Sequence, residues 1–282
     1  MIANIVCDDV GWIYSRFIEK LKQYSVNEIV LNSKEKADVN YFLPYYNFKL
    51  STTPSIIWSS HQELSEPLHS KFISSAKQAD WCLSPSLKYL NLLKQNGVSR
   101  VSQCRHGVDL DLFRPLYQKR NSDKLIVGAV GRSYKSSTRK NERLMEKISK
   151  LPFVDFRFTG GKLTQAEVAK FINDCDIMVQ TSVIEGGSMA VTESLACGVP
   201  ILTYFDVGVA NEFGLGVLKA GFGNETSYIK ILTDFWSVKW YELYQIPEQR
   251  EIMRAQVETH TWQNFVKTHD EIFDKLVNKC VV

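Results

Sequence analysis

The sequence predicts an α/β protein made of two Rossmann-like domains, each with a parallel sheet. Three observations carry that expectation. Short β-rich runs alternate with segments of helical period along the whole chain. The runs are almost continuously apolar, as strands covered on both faces require. A polar, basic, proline-bearing stretch, residues 112–124, separates two such series and reads as an interdomain linker.

In the first series the strands fall at Asn4–Asp8, Glu28–Asn32, Val39–Leu43, Ser55–Ser59, Trp81–Ser84 and Val101–Arg105. Amphipathic helices at Trp12–Tyr24, Pro67–Gln78 and Ser86–Gln95 lie between them, with apolar positions at helical spacing. In the second series the strands are Leu125–Gly131, Val154–Thr159, Ile177–Thr181 and Pro200–Phe205, with a short one near Val217. Helices Asn141–Lys150, Gln165–Asp174 and Met189–Ala196 alternate with them, and a last amphipathic helix covers Asn264–Lys275. The stretch between Val217 and Glu258 receives no assignment. In sheets of this kind ligands bind beyond the carboxyl ends of the strands, so two facing domains define a cleft.

Composition narrows the function classes. With 282 residues, 44% hydrophobic and 23% charged, the chain is ordinary globular material for two cores, neither disordered nor fibrous. A net charge of +3 gives no bulk argument for a nucleic-acid or membrane partner. The six cysteines are scattered without a CxxC pair, which reads as reduced, packed thiols. Met1–Asp8 lacks a basic, then long apolar, leader and reads as a first strand, so a cytoplasmic location is expected.

The segment from Asp176 to Pro200 carries the chemistry. An apolar strand ends in a loop holding Glu185, Gly186 and Gly187; a helix then starts near Ser188 and carries Glu193. Glycines at a helix start let backbone N–H groups approach a phosphate, and the helix dipole favours the negative charge. Carboxylates on either side of that phosphate can take hydroxyls, the demand of a nucleotide sugar. By geometry alone the same pattern serves equally as a structural strand–turn–helix with two exposed glutamates. Gly198 and Pro200 supply the stop. Arg132 and Lys140 read on their own as a solvated basic turn, His61 as one histidine at a strand end, and Gly11 as a tight β–α turn.

The string Glu185-Gly-Gly-Ser-Met-Ala-Val-Thr-Glu193, with Ala196, Gly198 and Pro200, resembles the E-x7-E segment of family 4 glycosyltransferases, retaining enzymes of the GT-B fold. His106-Gly-Val-Asp109 with Phe113-Arg-Pro115 resembles that family's link between domains. Val127–Arg132 with Lys140-Asn141 resembles its G-R-x(n)-K-G segment, in which an arginine and a lysine grip the donor diphosphate. Asn141 stands where the family has glycine, and two extra residues separate Arg132 from Lys140, so Lys135 is an alternative lysine. Thr261-Trp262 resembles the pair that introduces the family's last helix, which crosses back to the N-terminal domain. The likeness is close from about Val101 onward and loose before it, where the usual double glycine is absent around Gly11.

The resemblance implies three parts: residues 1–113 as an acceptor-side domain, 114–258 as a donor-binding domain, and 259–282 as the returning helix. It implies transfer of a hexosyl or pentosyl group from a nucleoside-diphosphate sugar to a hydroxyl, with retention and without a bound metal. His61, Arg132, Lys140 and Glu185 would act in catalysis; Gly11, Gly186, Gly187, Ser188, Met189 and Glu193 would bind the donor. No cofactor is expected beyond the donor substrate. Asp8-Asp9 and Asp109-x-Asp111 lack the spacing or setting of a metal site.

The expected acceptor is a cell-envelope glycan or glycolipid. A peripheral membrane contact through Trp12–Tyr24, with Arg16, Lys20 and Lys22, is weighed against an ordinary surface helix. Two other readings stay open. Lys119, Arg120, Lys124, Arg132, Lys135, Arg139, Lys140 and Arg143 are more positive charge than a diphosphate needs and would suit a DNA acceptor with hydroxymethylated bases. A catalytically idle GT-B partner subunit is the other.

Overall fold

The computed structural model describes residues 1–8, 10, 11, 13–117, 122–132 and 139–278. The chain divides into two compact units, one formed by Met1–Gly107 with His260–Val282, the other by Val108–Thr259.

The first unit holds a six-stranded parallel sheet of β1 (Ile2–Val6), β2 (Glu28–Leu31), β3 (Val39–Phe42), β4 (Ser55–Trp58), β5 (Trp81–Ser84) and β6 (Val101–Gln103), in the order β2-β1-β3-β4-β5-β6. Helices α1 (Ile13–Tyr24), α2 (Leu68–Gln78) and α3 (Leu87–Gln95) connect them. Every strand pair is parallel, and β4 is buried along its whole length. Isoleucine, valine and tryptophan fill these strands because β-branched and aromatic side chains fit a pleated surface covered on both sides.

Helix α10 (Trp262–Asn278) completes this unit. Its buried face is Trp262, Phe265, Val266, His269, Ile272, Phe273 and Leu276, the three-four spacing of an amphipathic helix. Phe265 lies 5.0 Å from Phe17 of α1 and 6.0 Å from Trp58 of β4, ring centre to ring centre. Asp270 accepts hydrogen bonds from the Ser25 hydroxyl and, at 2.9 Å, from Asn27 Nδ2. Burying six apolar side chains stabilises the docked helix by on the order of 10 kcal/mol. Gly107 has no room for a methyl group, because the Thr261–Trp262 backbone lies against it.

The second unit holds β7 (Leu125–Ala129), β8 (Val154–Phe158), β9 (Ile177–Gln180), β10 (Ile201–Tyr204) and β11 (Val217–Ala220), all parallel, in the order β11-β10-β9-β7-β8. Helices α4 (Glu142–Ser149), α5 (Gln165–Asn173) and α6 (Met189–Ala196) join the first four. The α5 N-terminus is a complete capping box, with Thr164 and Glu167 bonded reciprocally. The segment 108–113 is packed into this unit, with Val108 and Phe113 in its core.

Three helices follow β11 where the sequence reading assigned none: α7 (Glu225–Ser237), α8 (Trp240–Tyr244) and α9 (Pro247–Ala255). Helix α9 carries Arg250, only 2% exposed. Its guanidinium donates to the carbonyls of Gly198 (3.1 Å), Cys197 (2.9 Å) and Leu116 (2.9 Å) and to Asn173 Oδ1 (3.0 Å). Orphan carbonyls at the end of α6 are thereby satisfied by a side chain. A Cβ on Gly198 would stand 2.5 Å from that of Arg250, and its φ of +64° suits glycine.

All five described cysteines, Cys7, Cys82, Cys104, Cys175 and Cys197, are free and buried, in line with packed thiols. Cys280 lies outside the described residues. Among the described residues no helix is long and apolar enough to cross a membrane.

Candidate functional site

Strand order locates the site. In the second unit the chain runs from β7 to β8 on one side, then returns to place β9 on the other side of β7. The carboxyl ends of β7 and β9 therefore flank a topological switch point, where a doubly wound sheet opens a crevice. Beyond β7 come Gly131 and Arg132; beyond β9 come Thr181 to Gly187 and then α6.

These two ends are tied together. The Thr181 hydroxyl donates to the Lys140 carbonyl at 2.6 Å, and the Val183 N–H donates to the Arg139 carbonyl at 3.2 Å. Residues 139 and 140 are thus fixed to the loop after β9. Their side chains turn to the same carboxylate. Lys140 Nζ donates to Glu185 Oε1, and Arg139 Nη1 lies 3.5 Å from Glu185 Oε2. All three side chains are 13–16% exposed. Arg139 also donates to the Ile184 carbonyl at 3.4 Å.

Asn141 then starts α4 in the left-handed region, φ +51°, its side chain accepting from the Leu144 N–H. Asparagine tolerates that conformation better than most residues, which is how it stands where the resembled family has glycine. On the far side, Gly208 follows β10 with φ +57°. A Cβ there would lie 3.2 Å from the carbonyls of Glu185 and Gly186, so this glycine supports the carboxylate loop from below.

Helix α6 begins after this loop. Ser188 occupies the cap position without a side-chain cap bond. Gly186 and Ser188 are buried, and Gly187 and Met189 half-buried. Glu193 is buried at 3% exposure, not an exposed glutamate of a structural turn. A carboxylate is kept inside only where polar partners meet it. Arg132 is exposed at its head, while its stem crosses Gly161, φ +74°, where an added methyl would collide with it.

The structure thus brings together Lys140, Glu185, Gly186, Gly187, Ser188 and Met189 with the less enclosed Arg132, all in the second unit. Gly11 and His61 belong to the first unit. Gly11 is exposed in the bend after β1, on the β1/β3 side where that sheet has its own switch point. His61 follows β4, half-buried, with Nε2 2.7 Å from Glu63 Oε1. Lys135, the alternative lysine, lies outside the described residues, as do Asp9, Lys119 and Arg120. Sequence reasoning counted Arg139 only as surplus charge and did not single out Thr181, Gly208 or Glu63. Among the described residues no three of His, Cys, Asp and Glu are grouped to hold a metal ion.

Residues 110–223 match the family model of glycosyl transferases group 1, which spans the switch point and both glutamates. No curated protein sequence matches the chain. Solved structures similar to it include a glycosyltransferase from Rickettsia africae ESF-5, with TM-score 0.70, 12% identity and 98% of each chain covered. Anabaena HepE in complex with UDP-glucose superposes with TM-score 0.68 at 12% identity, covering 99% of this chain and 100% of that one. Sucrose-phosphate synthase from Thermosynechococcus elongatus gives 0.66 at 14% identity, over 94% of this chain and 78% of that one. The fold is GT-B, and the resemblance to family 4 glycosyltransferases read from the motifs is met by the match to the group 1 model.

Proposed function

We propose that this GT-B protein is a retaining glycosyltransferase that moves a sugar from a nucleoside-diphosphate sugar to a hydroxyl of a cell-envelope glycan or glycolipid. The observation that carries the reading is the convergence of Arg139 and Lys140 on Glu185, beside the start of α6 at the β7/β9 switch point. The leaving group is a diphosphate, so catalysis needs fixed cations and N–H dipoles where negative charge gathers. Lys140, Arg132 and the Gly187–Met189 backbone supply them, and Arg139 joins them. Glu193 takes the ribose hydroxyls and Glu185 the sugar hydroxyls. His61 contacts the transferred sugar, and Gly11 faces the donor.

The acceptor attacks the anomeric carbon from the leaving-group side, and the departing phosphate receives its proton; no protein nucleophile and no metal takes part. UDP is the first nucleotide to try, since Anabaena HepE is described with UDP-glucose. A glycan fits better than DNA as acceptor. Glu185 offsets one of the two positive charges of Arg139 and Lys140, which leaves less free positive charge than the sequence count suggests.

A thermal-shift screen of UDP-, GDP- and ADP-sugars on the purified chain tests the donor. Hydrolysis of the stabilising donor then tests catalysis, with Arg132→Ala and Glu185→Ala each expected to abolish turnover while the fold persists. Full turnover in both variants, or donor binding only with added divalent metal, overturns this reading.

A further inference from the structure

In the first unit His61 and Glu63 meet side chain to side chain just after β4. Strand β4 ends at Trp58, the Ser59 N–H still donates to the Leu83 carbonyl at 2.8 Å, and Ser59 and Ser60 stay buried. His61 is therefore held at the exit of a rigid strand. Glu63 is anchored separately, with its carbonyl 3.2 Å from His69 Nδ1 of α2. The two side chains meet at 2.7 Å and are only 15% and 27% exposed.

A carboxylate can only accept, so the His61 nitrogen facing Glu63 must carry hydrogen. In the neutral ring the other nitrogen, Nδ1, then bears the lone pair. Nδ1 has no hydrogen-bond partner among the described residues.

We propose that Glu63 is a positioning residue that fixes the Nε2–H tautomer of His61, so that Nδ1 accepts a hydrogen bond from a sugar hydroxyl. This rests on the reading that His61 contacts the transferred sugar. It has a chemical consequence. The atom opposite Nδ1 is an O–H donor, because an ionised phosphate oxygen and a ring oxygen have no hydrogen to give. Selection between sugars then depends on a hydroxyl at that position, and a deoxy analogue leaves Nδ1 unpaired on binding.

The test uses the full chain, with UDP as the binding probe and UDP-glucose hydrolysis as the rate. Glu63→Gln should keep the UDP Kd within about twofold and lower kcat about ten- to a hundredfold, by analogy with the loss of a carboxylate that orients a metal-bound histidine. Nitrogen-15 spectra should show the Nε2–H form for His61 in the native chain and a tautomer mixture in the variant. Glu63→Asp keeps the carboxylate and should recover part of the rate, which separates this role from a merely structural one. If His61→Ala is inactive but Glu63→Gln keeps native kcat or the pure Nε2–H tautomer, the proposal falls and the site reading stands. If His61→Ala turns over like the native chain, the placement of His61 at the sugar is itself wrong.

Discussion

Replacing Glu185 by glutamine changes one oxygen and one charge, and its effect on stability and on diphosphate binding should have opposite signs. Glu185 faces both Lys140 and Arg139 in a setting 13–16% exposed. Removing one partner of a fully buried pair costs about 3–5 kcal/mol, because the other charge is left uncompensated. Partial exposure lets water take up some of that, so we expect about 2 kcal/mol. For a unit of this size that lowers Tm by about 4–8 °C. A diphosphate brings the missing negative charge back. In the native chain it must compete with the Glu185 carboxylate; in Glu185→Gln it meets Lys140 and Arg139 without that competitor. UDP should then bind the variant about tenfold more tightly, which corresponds to about 1.4 kcal/mol. At UDP about a hundredfold above the native Kd, the native chain gains about 2.7 kcal/mol and the variant about 4.1 kcal/mol. Differential scanning fluorimetry with and without UDP reads both quantities. Transfer should nevertheless fall, since the sugar hydroxyls then meet a neutral amide in place of a charged carboxylate acceptor. If UDP stabilises the variant no more than the native chain, the diphosphate does not reach Lys140 and Arg139, and the donor-site argument fails.

Three further outcomes are expected. Gly208→Ala places a methyl 3.2 Å from two carbonyls at a φ unfavourable to alanine, so transfer should fall at least tenfold while the far-ultraviolet spectrum stays native; native kinetics would show that the loop tolerates displacement. Arg250→Ala strips four acceptors of a buried donor and should cost about 4 kcal/mol, read as a lower urea midpoint with an unchanged m value. His269 is fully buried; its Nδ1–H donates to the Phe265 carbonyl, and its Nε2 accepts from the Tyr41 hydroxyl at 3.1 Å. Burial pushes its pKa down to about 4. The unfolded chain takes up that proton first as pH falls below about 6.5, so stability is full above that value and declines toward pH 4. At pH 5 the loss is about 2 kcal/mol; equal urea midpoints at pH 7.5 and pH 5 would contradict it.

How much could be read in advance follows from where the information lies. Trp81–Ser84 and Met189–Ala196 are found at their predicted bounds, because a strand buried on both faces and a helix between stop signals are written locally. Predicted strands such as Val101–Arg105 and Val154–Thr159 overran by one or two residues. Cys104 and Thr159, just past those strands, still donate to the Ser84 and Ala129 carbonyls, so pairing fades over a residue or two there. The region after Val217 was missed although Asn224 and Pro247 mark the starts of α7 and α9. Its aromatic residues serve helix packing, and no glycine or proline separates α7 from α8. Within the site, Glu185 and Lys140 are visible as a motif. Arg139 is not, since only the Val183 and Thr181 bonds reveal that residues 139 and 140 are held against the same carboxylate. Glu63 and Arg250 are likewise defined by partners, at two residues' distance and at fifty-two.

The membership of α10 in the first unit has a consequence for assembly of the chain. Its partners, Phe17, Tyr41 and Trp58, lie in the first 60 residues, and the Ser25–Asp270 contact spans 245 positions. Everything from Val108 to Thr259 is synthesised in between. During translation the second unit, contiguous in sequence, can therefore finish folding while the first still shows an aromatic face to solvent. That face closes only when a loop of more than two hundred residues closes, a slow non-local step. A nascent chain paused before α10 is thus the species most open to aggregation or chaperone capture. A circular permutant that places α10 ahead of β1 would turn the last event into an early one.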